Sequence, residues 1–189
     1  LSGVAVSDVS IIWLWTDAQD ETGYRIYSST GGAALVELGA NTNSWLETGL
    51  NTNARYGRIL RAFDAQGETP VNLAGYRYTL ARAPANIVFA DVTENSISLS
   101  WQANGNPDGT LYGVQRSLDG AAFSEIATAL TSTSVSIDGL TAGTTYFLRV
   151  RAENGEGITT AFSATASTQT LGYRDLVPPK KVTGLNIDI

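Results

Sequence analysis

Carboxylates are the side chains of this sequence with the widest catalytic repertoire, because two commoner reagents are missing. The 189 residues hold 18 Asp and Glu against 12 Lys and Arg, with no His and no Cys. That composition removes the Ser-His-Asp triad, the Cys-His pair, the common zinc sets and any disulfide framework. What remains is two-acid chemistry of the glycosidase kind. It needs two carboxyl groups about 5 to 9.5 Å apart across a cleft, one with its pKa raised by burial. The acids here fall mostly among turn residues, where water keeps a carboxylate ionised, so no catalytic residue is assigned and the chain is read as not an enzyme. Phosphate cradles fare no better. Gly31-Gly32 and Gly155-x-Gly157 lie between alternating segments, where turns need positive φ, and neither leads from a strand into a helix.

Calcium is the one metal the residue types admit, since it takes clustered oxygen ligands. Asp17, Asp20 and Glu21 share one expected loop, and Asp64 and Glu68 share another at the same end of the first unit. Their spacing matches no calcium motif, so solvated loop acids are the plainer reading and no cofactor is expected. The formal charge of −6 repels phosphate backbones and anionic lipid, which makes nucleic acid a poor partner. No apolar run approaches the roughly 18 to 20 residues of a spanning helix, so membrane insertion is not expected. The only lysines, Lys180 and Lys181, lie in the tail, which excludes a Lys-Asn crosslink inside either unit.

The elements that carry these residues are set out by an internal repeat. Ser10, Ile11, Trp13 and Trp15 match Ser96, Ile97, Leu99 and Trp101 at an offset of 86 residues; Tyr24 and Ile26 match Tyr112 and Val114. Gly49, Leu50, Tyr56, Leu60, Ala62 and Gly67 match Gly139, Leu140, Tyr146, Val150, Ala152 and Gly157 at an offset of 90. Between these anchors apolar and polar residues alternate with period two, broken by Asn104-Gly105, Asp119-Gly120 and Asn154-Gly155, which is the pattern of short antiparallel strands. In the first unit the pattern predicts strands over 2–7, 9–15, 23–29, 33–38, 43–47, 55–63 and 72–80. Seven short strands make a sandwich, so the fold class is all-β, as two consecutive seven-stranded immunoglobulin-like β-sandwiches. The expected division is 1–82, 83–172, and a tail 173–189 comprising a linker and the start of a truncated third repeat. In that tail Val182, Gly184, Leu185 and Ile187 echo Leu1, Gly3, Val4 and Val6, so the chain is expected to be a segment of a longer array, trimmed within its first strand.

Leu140, Ala142, Gly143, Thr144, Tyr146, Leu148, Val150 and Ala152 resemble the Leu-x-Pro-Gly-Thr-x-Tyr-x-Val-x-Val-x-Ala stretch of the fibronectin type III family, with Ala142 in place of Pro. The resemblance covers both repeats. It implies that Trp15 and Trp101 are the buried tryptophans of strand B, and that Tyr56 and Tyr146 are corner tyrosines whose hydroxyls bond nearby backbone, with Leu50 and Leu140 as further core markers. The first unit departs from the family in two places. Asn53 stands where Gly is usual, and Arg58 occupies a position that alternation points inward.

Two outward surfaces separate the repeats. Ile12, Leu14 and Leu46 face out from adjacent strands where the second unit has Ser98, Ser100 and Ser136, which makes them a candidate partner patch and the expected seat of a weak dimer. On the opposite sheet Arg25, Tyr27, Ile59 and Arg61 form a second candidate face, an aromatic and guanidinium mixture suited to stacking on a sugar or peptide. The junction around 81–85 holds one proline and no Gly/Ser run, so it is expected to be stiff.

Together these features imply a non-catalytic structural and interaction module that spaces or presents adjacent domains of an extracellular or cell-surface protein. It is open to a protein partner through the patch. The alternative is an accessory linker module of a polysaccharide-degrading enzyme whose catalytic domain lies elsewhere. The Ser-Trp-Leu-Glu-Thr-Gly-Leu stretch at 44–50 resembles a style frequent in bacterial members of the family, which implies a bacterial source.

Overall fold

Alternation at the sequence level becomes a row of strands that each bury one face. In the computed structural model, which describes residues 1–69 and 73–173, the first unit contains β1 (Ser2–Ser7), β2 (Ser10–Leu14), β3 (Gly23–Ser28), β4 (Val36–Gly39), β5 (Ser44–Thr48), β6 (Arg55–Asp64), β7 (Gly67–Glu68) and β8 (Leu73–Tyr78). The second contains β9 (Ala85–Val92), β10 (Ile97–Gln102), β11 (Leu111–Ser117), β12 (Ser124–Leu130), β13 (Ser134–Ile137), β14 (Thr145–Glu153) and β15 (Ala166–Gln169). All pairings are antiparallel. In the first unit β1-β2-β5 faces β4-β3-β6 with β7 and β8 on β6; in the second β13-β10-β9 faces β12-β11-β14-β15. The described fold is all-β, as expected.

The differences from the expected strands are local. β4 begins at Val36 rather than 33, because Gly31 and Gly32 adopt φ of 93° and 104° and hold the hairpin tip open. β8 ends at Tyr78; beyond it Thr79 N still donates to Ala54 O at 3.0 Å while the Thr79 hydroxyl donates to the Asn51 carbonyl at 2.7 Å. The two-residue β7 was missed: Asp64 Oδ1 accepts from Gln66 N and Gly67 N, and so folds a tight turn back onto β6. The tail from residue 174 onward, including the third-repeat echo, lies outside the described residues.

Each sandwich closes on its own core. The first gathers Ile11, Trp13, Trp15, Tyr24, Ile26 and Leu60; the second gathers Ile97, Leu99, Trp101, Tyr112, Val114, Leu140, Tyr146, Leu148 and Val150, among others. Trp15 sits 5.5 Å from the Tyr24 ring, and Trp101 sits 5.5 Å from the Tyr112 ring. Both indole N–H groups are buried without an acceptor, so each ring acts as apolar filler and carries a desolvation cost of about 1–3 kcal/mol. At the two corner tyrosines, Asn51 N donates to Tyr56 Oη at 2.8 Å and Thr141 N donates to Tyr146 Oη at 2.9 Å.

A second repeated device was not legible beforehand. Thr79 and Thr170 are buried at equivalent points, and each hydroxyl ties the end of its sandwich to the loop before β6 or β14. Thr79 Oγ1 donates to Asn51 O and accepts from Ala54 N at 3.0 Å, while Thr170 Oγ1 donates to Thr141 O at 2.6 Å and accepts from Thr144 N at 3.0 Å.

Arg58 does point inward, and its charge is met. Its guanidinium grips Glu47 with Nε 2.9 Å from Oε2, a second bond from Nη2 to Oε1, and Nη1 donating to Gly57 O at 2.8 Å. Trp13 Nε1 donates to the same carboxylate at 2.8 Å. Both charged residues are 7% exposed. Packing of β6 is therefore intact, with the inward charge of Arg58 met by Glu47. The second unit fills the equivalent positions with Leu99, Ile137 and Leu148, so the first replaces an apolar triple by Trp-Glu-Arg.

Candidate functional site

Four surfaces were singled out by residue type, and the fold treats each differently. At the free pole of the first unit, the loop after β2 and the β6–β7 turn do meet, around a cavity of about 270 Å³ lined by Asp20, Glu21, Phe63, Asp64 and Glu68 among others. The five calcium candidates are not drawn into one ligand set. Asp17 accepts from Tyr24 Oη at 2.7 Å, Glu21 from Asn41 N at 2.9 Å, and Asp64 caps its own turn. Glu68 turns away to the sheet face. Among the described residues no three acidic side chains are grouped to hold a metal ion. Burial, with the Asp17 carboxylate beside it, pushes the Tyr24 phenol up to about 12, so that hydroxyl remains a donor at any physiological pH.

Arg25, Tyr27 and Arg61 of the second candidate face converge on Glu68, an acid that had been grouped with the calcium candidates. Glu68 accepts from Tyr27 Oη, from Arg61 Nη1 at 2.9 Å and from Arg25 Nη1 at 3.0 Å. Arg25 also pairs with Glu37 at 2.8 Å and lies 4.3 Å above the Phe63 ring, while Arg61 lies 4.9 Å above Tyr27. Hydrogen bonds from Tyr27, then from Arg61 and Arg25, hold the Glu68 carboxyl down at about 2. Ile59 sits half-buried beside them, paired with Tyr27 across β3–β6. The face is thus internally bonded. The second unit builds its own version, with Arg149 stacked 3.8 Å from the Phe123 ring centre and 4.2 Å from that of Phe162.

The apolar patch is a row across three strands. Val4 pairs with Ile12 and Ile12 with Leu46, with Leu14 one register step away. Val4, Val6, Leu14 and Leu46 are all exposed. Val4 and Val6 on β1 extend the row beyond Ile12, Leu14 and Leu46. In the second unit Ser98 and Ser136 share a 3.4 Å hydrogen bond at the matching place, although Val88 is exposed on β9.

The fourth surface is the junction, where the departure at Asn53 finds its reason. Asn53 has φ of 47°, in the left-handed region that Asn and Gly tolerate best, and is buried. Its side chain crosses to the second unit: Nδ2 donates to Thr110 Oγ1 at 3.0 Å, and Oδ1 accepts from Gly155 N at 2.9 Å. In the other direction Asn154 Nδ2 donates to Thr79 O at 3.1 Å. The connecting backbone is held as well. Asn106 receives Arg82 N at 2.9 Å and donates to Arg82 O at 2.7 Å, and Asn104 Nδ2 donates to Ala83 O at 2.9 Å. Asp8 pairs with Arg82, and Glu156 with Arg77 at 3.2 Å. Asn104 and Asn154 had been read as turn formers only; nothing in a single sequence distinguishes an asparagine that turns from one that also bridges.

With two antiparallel sandwiches joined end to end, corner tyrosines in both, and carboxylates engaged by structural partners, the architecture is that of a tandem of immunoglobulin-like modules. Comparison with known proteins gives the family of the second unit: residues 82–169 match the fibronectin type III domain, and the first unit repeats the same sandwich order. A two-domain fibronectin type III segment of chicken tenascin superposes with a TM-score of 0.60, at 18% identity, covering 89% of this chain and 96% of that one. Domains from titin superpose at 0.53 and 18% identity, covering 90% and 61%. Among curated proteins the chain is similar to exoglucanase B of Cellulomonas fimi, 33% identical over 181 residues, and to chitinase A1 of Niallia circulans, 31% identical over 183 residues. Each alignment covers 89% of this chain. The chain spans only 16% of the exoglucanase and 24% of the chitinase.

Proposed function

We propose that the chain is a non-catalytic spacer that sets the separation and orientation of other domains in an extracellular multidomain protein. The observation that carries this is the pole-to-pole join. β6 runs from Arg55 at the junction to Asp64 at the free pole, and β14 runs from Thr145 at the far pole back to Glu153 at the junction. The two units thus meet pole to pole, and strands of 10 and 9 residues give each a height of about 30 Å. Chain length becomes reach. The similarity to a bacterial exoglucanase and a bacterial chitinase supports a more specific reading, an accessory module of a polysaccharide-degrading protein whose catalytic domain lies outside these residues.

Co-sedimentation with insoluble cellulose and chitin, alongside assays on soluble oligosaccharides, tests both. The chain is expected to stay in the supernatant and to cleave nothing. Hydrolysis would overturn the non-catalytic reading; retention on the solid would make it a binding module rather than a spacer.

A further inference from the structure

The junction is more than a short linker. The side chains of Asn53, Asn104, Asn106 and Asn154 each form at least one hydrogen bond between the first unit or its connecting segment and the second unit. Within the first unit, backbone bonds fix the exit of the chain: Thr79 N binds Ala54 O at 3.0 Å, Leu80 N binds Ser7 O at 3.1 Å, and Asn53 N binds Leu80 O at 3.1 Å. The fit is steric as well as polar. Gly155 lies against the Tyr78 ring so closely that an added Cβ would fall 2.3 Å from Cε1. No charge is needed for the central bonds, which join neutral amides to a hydroxyl, a backbone N–H and a carbonyl, with the Asn53–Thr110 and Asn154–Thr79 bonds buried.

The repeat shows that these bonds are particular to this joint. Asn53 corresponds to Gly143 at the far end of the second unit, and Asn154 corresponds to Asp64 at the free pole of the first. Gly143 keeps the left-handed backbone, with φ of 62°, but has no side chain to reach across. Asp64 keeps the turn-capping oxygen, as Asn154 does toward Glu156 N at 3.0 Å and Ile158 N at 2.9 Å, but its carboxylate cannot donate. Neither outer pole can make the same bonds.

We propose that an asparagine lock, keyed by Asn53 and Asn154, joins the two units into one rigid body, and that the same lock is not available at either outer pole. The inference rests on the spacer reading for its purpose, but its geometry stands apart from whether the chain binds sugar. A rigid pair set between joints of other chemistry would act as a single lever arm.

The absence of native cysteine allows a clean test. Ala40→Cys and Thr131→Cys, one in each unit, carry spin labels, and the distance distribution between them is measured by pulsed electron resonance. The parent should give one narrow distribution. Asn53→Gly, which is free to keep the backbone angle, combined with Asn154→Asp, which keeps the turn cap, should broaden it at least twofold while both units stay folded by circular dichroism. Gly155→Ala should shift the mean, because the methyl group wedges Tyr78 away. A broad distribution in the parent would overturn the lock, as would an unchanged one in the double variant. Should the double variant unfold, Gly155→Ala and Asn154→Asp alone decide: a distribution matching the parent in both would equally overturn it. None of these outcomes bears on polysaccharide retention, so failure of the lock and failure of the spacer reading are read separately.

Discussion

Removing Glu47 should destabilise the first sandwich selectively. Its carboxylate receives Arg58 Nε at 2.9 Å and Trp13 Nε1 at 2.8 Å in a site 7% exposed. Glu47→Ile therefore leaves a guanidinium and an indole N–H without their acceptor and away from water. Breaking a buried pair by deleting one partner costs about 3–5 kcal/mol, against a typical domain stability of about 5–15 kcal/mol. For a unit of this size that lowers the melting temperature by roughly 15–30 °C. The second unit supplies the control, because Ile137 and Leu148 occupy the positions of Glu47 and Arg58. Glu47→Ile with Arg58→Leu should recover most of the loss, leaving only the Trp13 N–H, worth about 1–3 kcal/mol. Urea unfolding followed by tryptophan fluorescence reads the first unit through Trp13, Trp15 and Trp45, with Trp101 alone in the second. A single variant within about 1 kcal/mol of the parent, or a double variant no better than the single, would refute the reasoning.

Four further outcomes follow from the same geometry. Thr79→Val and Thr170→Val should each cost about 1–3 kcal/mol in their own unit, because each strips a buried hydroxyl from a carbonyl and an amide; separate urea transitions check this. Leu14→Ser with Leu46→Ser should change stability by no more than about 0.5 kcal/mol per site, since both are exposed and serine stands at the matching places in the second unit. Glu68 has a folded pKa of about 2, below its usual value, so its contribution is present at neutral pH and is lost as pH falls through about 4.5 toward 2. Glu68→Gln should flatten the acid limb of first-unit stability across that window and leave the second unit unchanged. Added calcium should leave the melting temperatures of both units where they were, because Asp17, Glu21, Asp64 and Glu68 are spread over separate structural bonds.

Much of the fold was legible because period-two alternation and turn residues are local signals, doubled by the repeat. The burial of Trp15 and Trp101 and the backbone bonds of Tyr56 and Tyr146 are roles that the family resemblance implied and that alternation alone does not supply. What escaped depends on contacts across the molecule. Arg58 showed as an inward charge, yet its partner Glu47 lies on the other sheet and reads as one polar residue in a strand. Glu68 reads as a loop acid beside Asp64, but the β7 hairpin swings it onto the face of Arg25, Tyr27 and Arg61. Asn53 was visible as a departure from glycine. Its purpose was not, because Thr110 and Gly155 belong to the next unit and come near it only once both units are folded and joined.

Small-angle X-ray scattering of the intact chain, with its mass taken by light scattering, tests the central claim most directly. A monomer whose profile fits one end-to-end arrangement of the two units, unchanged in 1 M salt, is the expected result, because the bonds across the junction are mainly neutral. A compact particle, or a profile that only a broad ensemble of interdomain angles can fit, would contradict a stiff spacer.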